Sequence, residues 1–217
     1  MRRRHIAAAV ALAALAAAAP ASAHQGSPDF LSEVGAVEPA VDGISVEVLN
    51  RDDRLLLHNT TGEDVVILGY EDEPYARISA DGTVEVNENS EAYHLNEDRY
   101  AKVDVPAGLD AETPPRWKEI SRSGRFEWHD HRAHWMGEGR PPQVTDPDVR
   151  TKVFDWSVPM RVGDRPGAIR GTLTWTPGAG GGVPTAAMFA LATVLILASL
   201  AVFAIRRRRD APAGEAW

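Results

Sequence analysis

Three histidines fall within one nine-residue stretch, Trp128-His129-Asp130-His131-Arg132-Ala133-His134-Trp135-Met136. Imidazole nitrogens suit copper, zinc and nickel, and a thioether such as that of Met136 adds a preference for Cu(I). If Phe126 and Trp128 point into a core, strand alternation sets His129 and His131 together on the opposite face. His134 and Met136 then follow on the next turn of chain. This pattern predicts a copper site with His129, His131 and His134 as ligands and Met136 as a soft accessory ligand. The rival reading is a cell-envelope adaptor without metal, in which the same stretch is a polar loop that contacts a partner protein. In that reading Arg132 and Trp135 are the recognition residues.

The start of the chain bears on the same site. Arg2, Arg3 and Arg4 form a basic region, Ile6 to Ala19 a short Ala/Leu-rich apolar one, and Ala21-Ser22-Ala23 an A-x-A cleavage signal, so residues 1–23 read as a signal peptide. Cleavage after Ala23 makes His24 the first residue of the mature protein. Its free amine, with a pKa of ~7.7–8, and its imidazole can then chelate one Cu(II), so His24 joins the candidate ligands. The arrangement resembles the histidine brace of periplasmic copper carriers and copper oxygenases. Ala19-Pro20-Ala21 offers a second cleavage signal, and cleavage there removes His24 from this role.

Other chemistries are excluded or left without a motif. The chain has no cysteine, which rules out thiol catalysis, thiolate metal sites and c-type haem attachment. It has no G-x-S-x-G, H-E-x-x-H, P-loop or dinucleotide fingerprint, so binding rather than turnover is expected. Glu71-Asp72-Glu73 lacks the ligand spacing and glycine of a calcium loop, and His58 and His94 are isolated and read as structural. Without the arginines of the two flanks, Asp210 and Glu215, the region between them holds 16 basic against 29 acidic residues. Such a surface repels nucleic acid and favours cations or basic partners.

The elements that must position these residues read as strands. Ile44, Val46 and Val48 alternate with polar neighbours after the Asp42-Gly43 turn signal; Arg54 to His58 is a second strand closed by Thr60-Thr61-Gly62. Val65 to Leu68 is apolar on both faces. Tyr75 to Ile78 and Thr83 to Val86 flank an Asp81-Gly82 hairpin turn. Phe154, Trp156, Val158, Met160 and Val162 share one face, and Ile169, Leu173 and Trp175 repeat the pattern. His24 to Ala40 reads as an irregular lead-in, Asn96-Glu97-Asp98 as a helical turn, and 107–115 and 137–148 as Pro/Gly-rich loops. The expected fold is an all-β, immunoglobulin-like sandwich over 24–177, with a jelly roll or small barrel as the alternative.

After a Gly-rich spacer at 178–184, Thr185 to Ile205 holds 21 residues without a charge. That is long enough for a helix to cross ~30 Å of hydrocarbon. Arg206 to Arg209 open a basic tail, 206–217, that the positive-inside rule keeps in the cytoplasm. The sequence thus predicts a single-pass type I protein of the cytoplasmic membrane, its domain outside.

The stretches Asp52-Asp53-Arg54-Leu55-Leu56, Glu73-Pro74-Tyr75, Leu95-Asn96-Glu97-Asp98-Arg99 and Trp128 to Met136 resemble those of an uncharacterised family of secreted, C-terminally anchored actinobacterial proteins. The resemblance covers nearly all of the extracytoplasmic region. It implies location and an intact domain, and carries no activity with it.

Overall fold

Strands form in this chain where alternate residues must be buried. The computed structural model describes residues 27–177 and 185–209. Its elements run β1 (Phe30–Glu38), β2 (Ile44–Leu49), β3 (Arg54–Asn59), β4 (Val65–Leu68), β5 (Pro74–Ile78), β6 (Val84–Asn87), α1 (Glu91–Leu95), β7 (Trp117–Ser121), β8 (Arg125–Trp128), a 3-10 turn (His131–Ala133), β9 (Thr151–Val162), β10 (Arg165–Trp175) and α2 (Thr185–Arg209). The chain separates into two compact units, the first ending at Pro177.

The first unit is an all-β sandwich, as the patterning predicts. One sheet has seven strands in the order β1-β10-β9-β4-β5-β6-β7, and the other has three, β2-β3-β8. Every pairing is antiparallel. The immunoglobulin fold divides its strands nearly evenly between its sheets; here the division is seven and three.

A single apolar cluster lies between the layers. Leu55 and Leu57 of β3 face Trp128 and Phe126 of β8 in register, and Phe126 meets Tyr75 of the larger sheet edge-on at 5.7 Å. Leu57, Ile67, Ile78, Val158 and Leu173 are fully buried, each contributing ~1.5–3 kcal/mol by leaving water.

Three expectations need correction. The irregular lead-in contains β1, which pairs with β10 along most of its length. Its pattern is masked because an inward position holds Ser32, buried to accept a 2.8 Å hydrogen bond from Trp156 Nε1. In β9 the inward face changes phase: Val153 is buried and Phe154 only half-buried, because a bulge opposite Leu173 and Thr174 inserts one residue. The same shift buries Thr174 and leaves Trp175 half-buried. The short helix lies at Glu91–Leu95, earlier than the turn expected at Asn96-Glu97-Asp98, with Asn96 as its C-cap. Ser90 caps its start by accepting from Ala92 N, and β7, an edge strand with three of its five residues exposed, has too little buried surface to show alternation.

α2 extends from Thr185 through Arg209. Among the described residues no helix is long and apolar enough to cross a membrane. The segments expected as signal peptide (1–23) and spacer (178–184), with residues 24–26 and 210–217, lie outside the described residues.

Candidate metal centre

The histidine stretch is not a strand. β8 ends at Trp128, opposite Leu55, and the chain turns at once because Asp130 offers its side chain to the backbone in place of a ladder. Its Oδ1 accepts from Arg132 N at 3.1 Å and from Arg132 Nε at 2.8 Å. Its Oδ2 accepts from Trp128 Nε1 at 2.9 Å and from Arg132 Nη2 at 2.8 Å. Asp130 is thereby the N-cap of the 3-10 turn. Arg132 also reaches the end of β4, donating to the carbonyls of Gly69 at 3.0 Å and Leu68 at 3.1 Å. His129 and His131 are therefore brought together by a capped turn, not by the pleat.

That turn collects the three rings. Ring nitrogens of His129, His131 and His134 lie within 4.8 Å of one another, with ring centroids 4.5 to 5.6 Å apart. His134 is 1 % exposed and His129 6 %; His131 is half-buried. Tyr70 stacks on His131 at 5.7 Å and carries the Arg132 guanidinium over its ring. The Tyr70 hydroxyl accepts from His131 N and donates to Asn96 Oδ1. Burial, then the nearby Asp130 charge, raises the Tyr70 pKa, so the phenol stays neutral.

Backbone carbonyls fix the protons on the rings. His129 Nδ1 faces the Asp53 carbonyl, His131 Nε2 that of Asp98 at 2.9 Å, and His134 Nδ1 that of Trp135 at 3.1 Å. A carbonyl oxygen only accepts, so each facing nitrogen carries the hydrogen. His129 Nε2, His134 Nε2 and His131 Nδ1 are then left as bare lone pairs. This is the arrangement by which outer groups orient metal-binding histidines.

Two of those lone pairs point at each other. His129 Nε2 and His134 Nε2 are 2.8 Å apart, and with both Nδ1 protons committed to carbonyls neither nitrogen has a proton to offer. A cation between them removes the repulsion. A proton is disfavoured in that place: burial first, then Arg99, lowers the pKa of both histidines, that of His134 to about 3. Arg99 itself is held by Asp52 at 2.7 Å and by Asp53 at 3.4 Å. Two ligands on a tetrahedral ion with 2.0–2.1 Å bonds sit about 3.3 Å apart, so a metal held by both nitrogens would require the rings to part by roughly half an ångström.

Of the expected site residues, His129, His131 and His134 converge. Met136 is 38 % exposed, and His24 lies outside the described residues. The polar donors of Arg132 are directed to Asp130 and to β4, and Trp135 donates to Gly139 O at 3.0 Å. His94 contacts the Glu88 carbonyl through Nε2 at 3.1 Å. Glu73, from the stretch weighed for calcium, is buried and accepts from Glu71 N, Ser90 Oγ and Ala92 N.

Asp53, Asp98, Tyr70 and Arg99 were not read as site residues. Two of them act through backbone carbonyls, which leave no residue-type signature. All but Tyr70 lie in the Asp52 to Leu56 and Leu95 to Arg99 stretches already singled out, and the fold gathers those stretches around the histidines. No family model, no curated protein and no solved structure matches the chain.

Proposed function

We propose that this protein binds copper through His129, His131 and His134 and serves its capture or delivery outside the cytoplasmic membrane, with α2 as the anchor. The observation that carries the reading is the 2.8 Å approach of His129 Nε2 to His134 Nε2 while the Nδ1 atom of each ring faces a backbone carbonyl, in surroundings that resist a proton. The ligand set is three neutral imidazoles, a composition that suits copper and zinc, with copper favoured by the affinity order of divalent metals. Met136, at the surface two residues past His134, is the soft accessory ligand that would extend the site to Cu(I). The acidic surface between the two flanks favours cations, and the bound ion is cargo with no turnover implied.

The anchor rests on the sequence of α2. Leu191, Val194, Leu195, Ile196, Leu197, Leu200, Val202, Phe203 and Ile205 are all exposed. Val194 to Leu197 are consecutive, so apolar side chains project from every face of the helix, the pattern of a helix that requires an apolar surround.

The test is metal analysis and competition titration of the mature chain in detergent with Cu(I), Cu(II) and Zn(II). About one copper ion per chain is expected, and His134→Ala should weaken binding by ~100-fold or more, at least as much as the loss of a supporting group costs elsewhere. Weak, non-stoichiometric uptake that His134→Ala leaves unchanged overturns the reading.

A further inference from the structure

A cleft of about 370 Å³ lies beside the histidines, and Asp29, Arg99, Tyr100, Trp135, Arg140 and Trp175 are among the residues that line it. Three separate segments meet there. Asp29 precedes β1, and the pairing of Phe30 with Trp175 brings it to the end of β10, where its carbonyl accepts from Thr176 N at 2.8 Å. Arg99 and Tyr100 follow Asp98, whose carbonyl faces His131, and the segment from Trp135 to Arg140 follows His134. The cleft is thus walled by the same loops that orient the candidate metal centre, while none of the three histidines is among its lining residues.

Its aromatic walls are fixed, with their polar edges occupied. The Trp135 indole N–H donates to Gly139 O at 3.0 Å and that of Trp175 to Pro147 O at 2.9 Å. A Cβ at Gly137 would lie 2.5 Å from Trp135 Cζ2, so glycine there lets the loop close on that ring. Phe30 meets Trp175 edge-on at 5.3 Å. Both indoles are half-buried, and what they offer a ligand is ring surface.

The charges in the cleft are not paired with one another. Asp29 is half-buried, and among the described contacts its carboxylate has no partner. Arg140 is exposed and likewise has neither a hydrogen bond nor an acidic partner among those contacts. Arg99 directs its two Nη groups to Asp52 and Asp53, which leaves Nε as an unused donor. Three kinds of surface therefore share one small space: an unpaired carboxylate, guanidinium donors and indole faces. A plain anion would meet Asp29 as a like charge, and a plain cation would meet the two arginines. A neutral molecule would leave the half-buried Asp29 without a counter-charge. The molecule that answers all three surfaces carries an ammonium and a carboxylate a few bonds apart, with an apolar body beside them.

We propose that the cleft binds a free α-amino acid with an aromatic or large aliphatic side chain, its ammonium on Asp29, its carboxylate on Arg140 and Arg99, and its side chain against the indole faces. Guanidinium groups match a carboxylate in shape as well as charge, and the volume falls in the lower part of the range of small-molecule sites. The site needs no metal, so it stands apart from the copper reading.

The experiment is calorimetric titration of the metal-free mature chain in detergent with L-phenylalanine, L-tryptophan and L-leucine, followed by the two half-charged analogues of the tightest binder. For phenylalanine these are phenylpropanoate, which lacks the ammonium, and phenethylamine, which lacks the carboxylate. At least one amino acid should bind at about one molecule per chain with Kd below ~1 mM. Each analogue should bind ~10-fold or more weakly, the loss expected when a charge-assisted hydrogen bond is removed. Asp29→Asn should weaken the amino acid by a similar factor and leave the analogue without the ammonium no weaker; Arg140→Gln should weaken the amino acid and leave the analogue without the carboxylate no weaker. The analogue comparison uses the unaltered chain, so it decides the matter even where a variant fails to fold. No saturable binding with Kd below ~1 mM overturns the proposal. So does an analogue that binds as tightly as the amino acid, which would mark a simple anion or cation site. Neither result bears on copper binding.

Discussion

Replacing Asp130 with asparagine tests the reasoning that places the histidines. The carboxylate is completely buried and accepts four hydrogen bonds, one from Trp128 Nε1 and three from Arg132. Asparagine keeps one oxygen, which can still face Arg132 N and Nε. Its amide group then stands where Oδ2 was, against the Trp128 and Arg132 Nη2 donors, so two acceptor contacts are lost and donors face donors. Two charge-assisted bonds at ~1.5–3 kcal/mol each give ~3–6 kcal/mol, in accord with the ~3–5 kcal/mol cost of breaking a buried ion pair. That is a large fraction of the ~5–15 kcal/mol that holds a domain together. The assay is urea unfolding of the metal-free protein near pH 7, followed by tryptophan fluorescence. Asp130→Asn combined with Arg132→Met removes the orphaned cation as well, and should cost at least ~2 kcal/mol less than the two single changes added together. A loss below ~1 kcal/mol for Asp130→Asn, or strict additivity in the double variant, would refute the claim that this pair holds the turn.

Acid should destabilise the metal-free domain before its carboxylates titrate. The His134 pKa is lowered from 6.5 to about 3 by burial, Arg99 and His129, so between those values the unfolded chain takes up the proton and the folded one does not. The stability is complete above about pH 6.5 and falls at up to ~1.4 kcal/mol per unit as pH drops toward 3. Urea midpoints at about pH 7.5 and 5.5 should differ in that direction, and less so in His134→Gln; equal midpoints in the wild type count against a neutral, buried His134. For the anchor, protease added to intact spheroplasts should digest the domain and spare a small C-terminal fragment, and a protected full-length chain would reverse the proposed orientation.

Much of the architecture is written in local pattern. Period-two alternation over Ile44 to Val48, Arg54 to His58 and Phe154 to Val162 announces strands because one face of each must leave water, and that requirement is visible residue by residue. It is not visible where a core position is polar, as at Ser32, whose place inside the sandwich depends on Trp156 of a distant strand. Nor is it visible at a bulge, where the inserted residue at Val153 and Phe154 follows from pairing with β10 and not from the residues themselves.

The candidate metal centre divides in the same way. The density of His129, His131 and His134 is a property of the sequence, and the three rings it marked converge in the fold. The folded chain decided how they meet: Asp130 draws its hydrogen bonds from Arg132 and Trp128, ends the strand, and closes the turn that a pleat was expected to replace. It also decided which nitrogens are free, because the carbonyls of Asp53, Asp98 and Trp135 set the ring protons, and two of those three arrive from elsewhere in the sandwich. Backbone carbonyls are present at every residue, so no sequence pattern can mark the few that orient a ligand. Only tertiary packing selects them, by burying a ring nitrogen where a single acceptor is within reach.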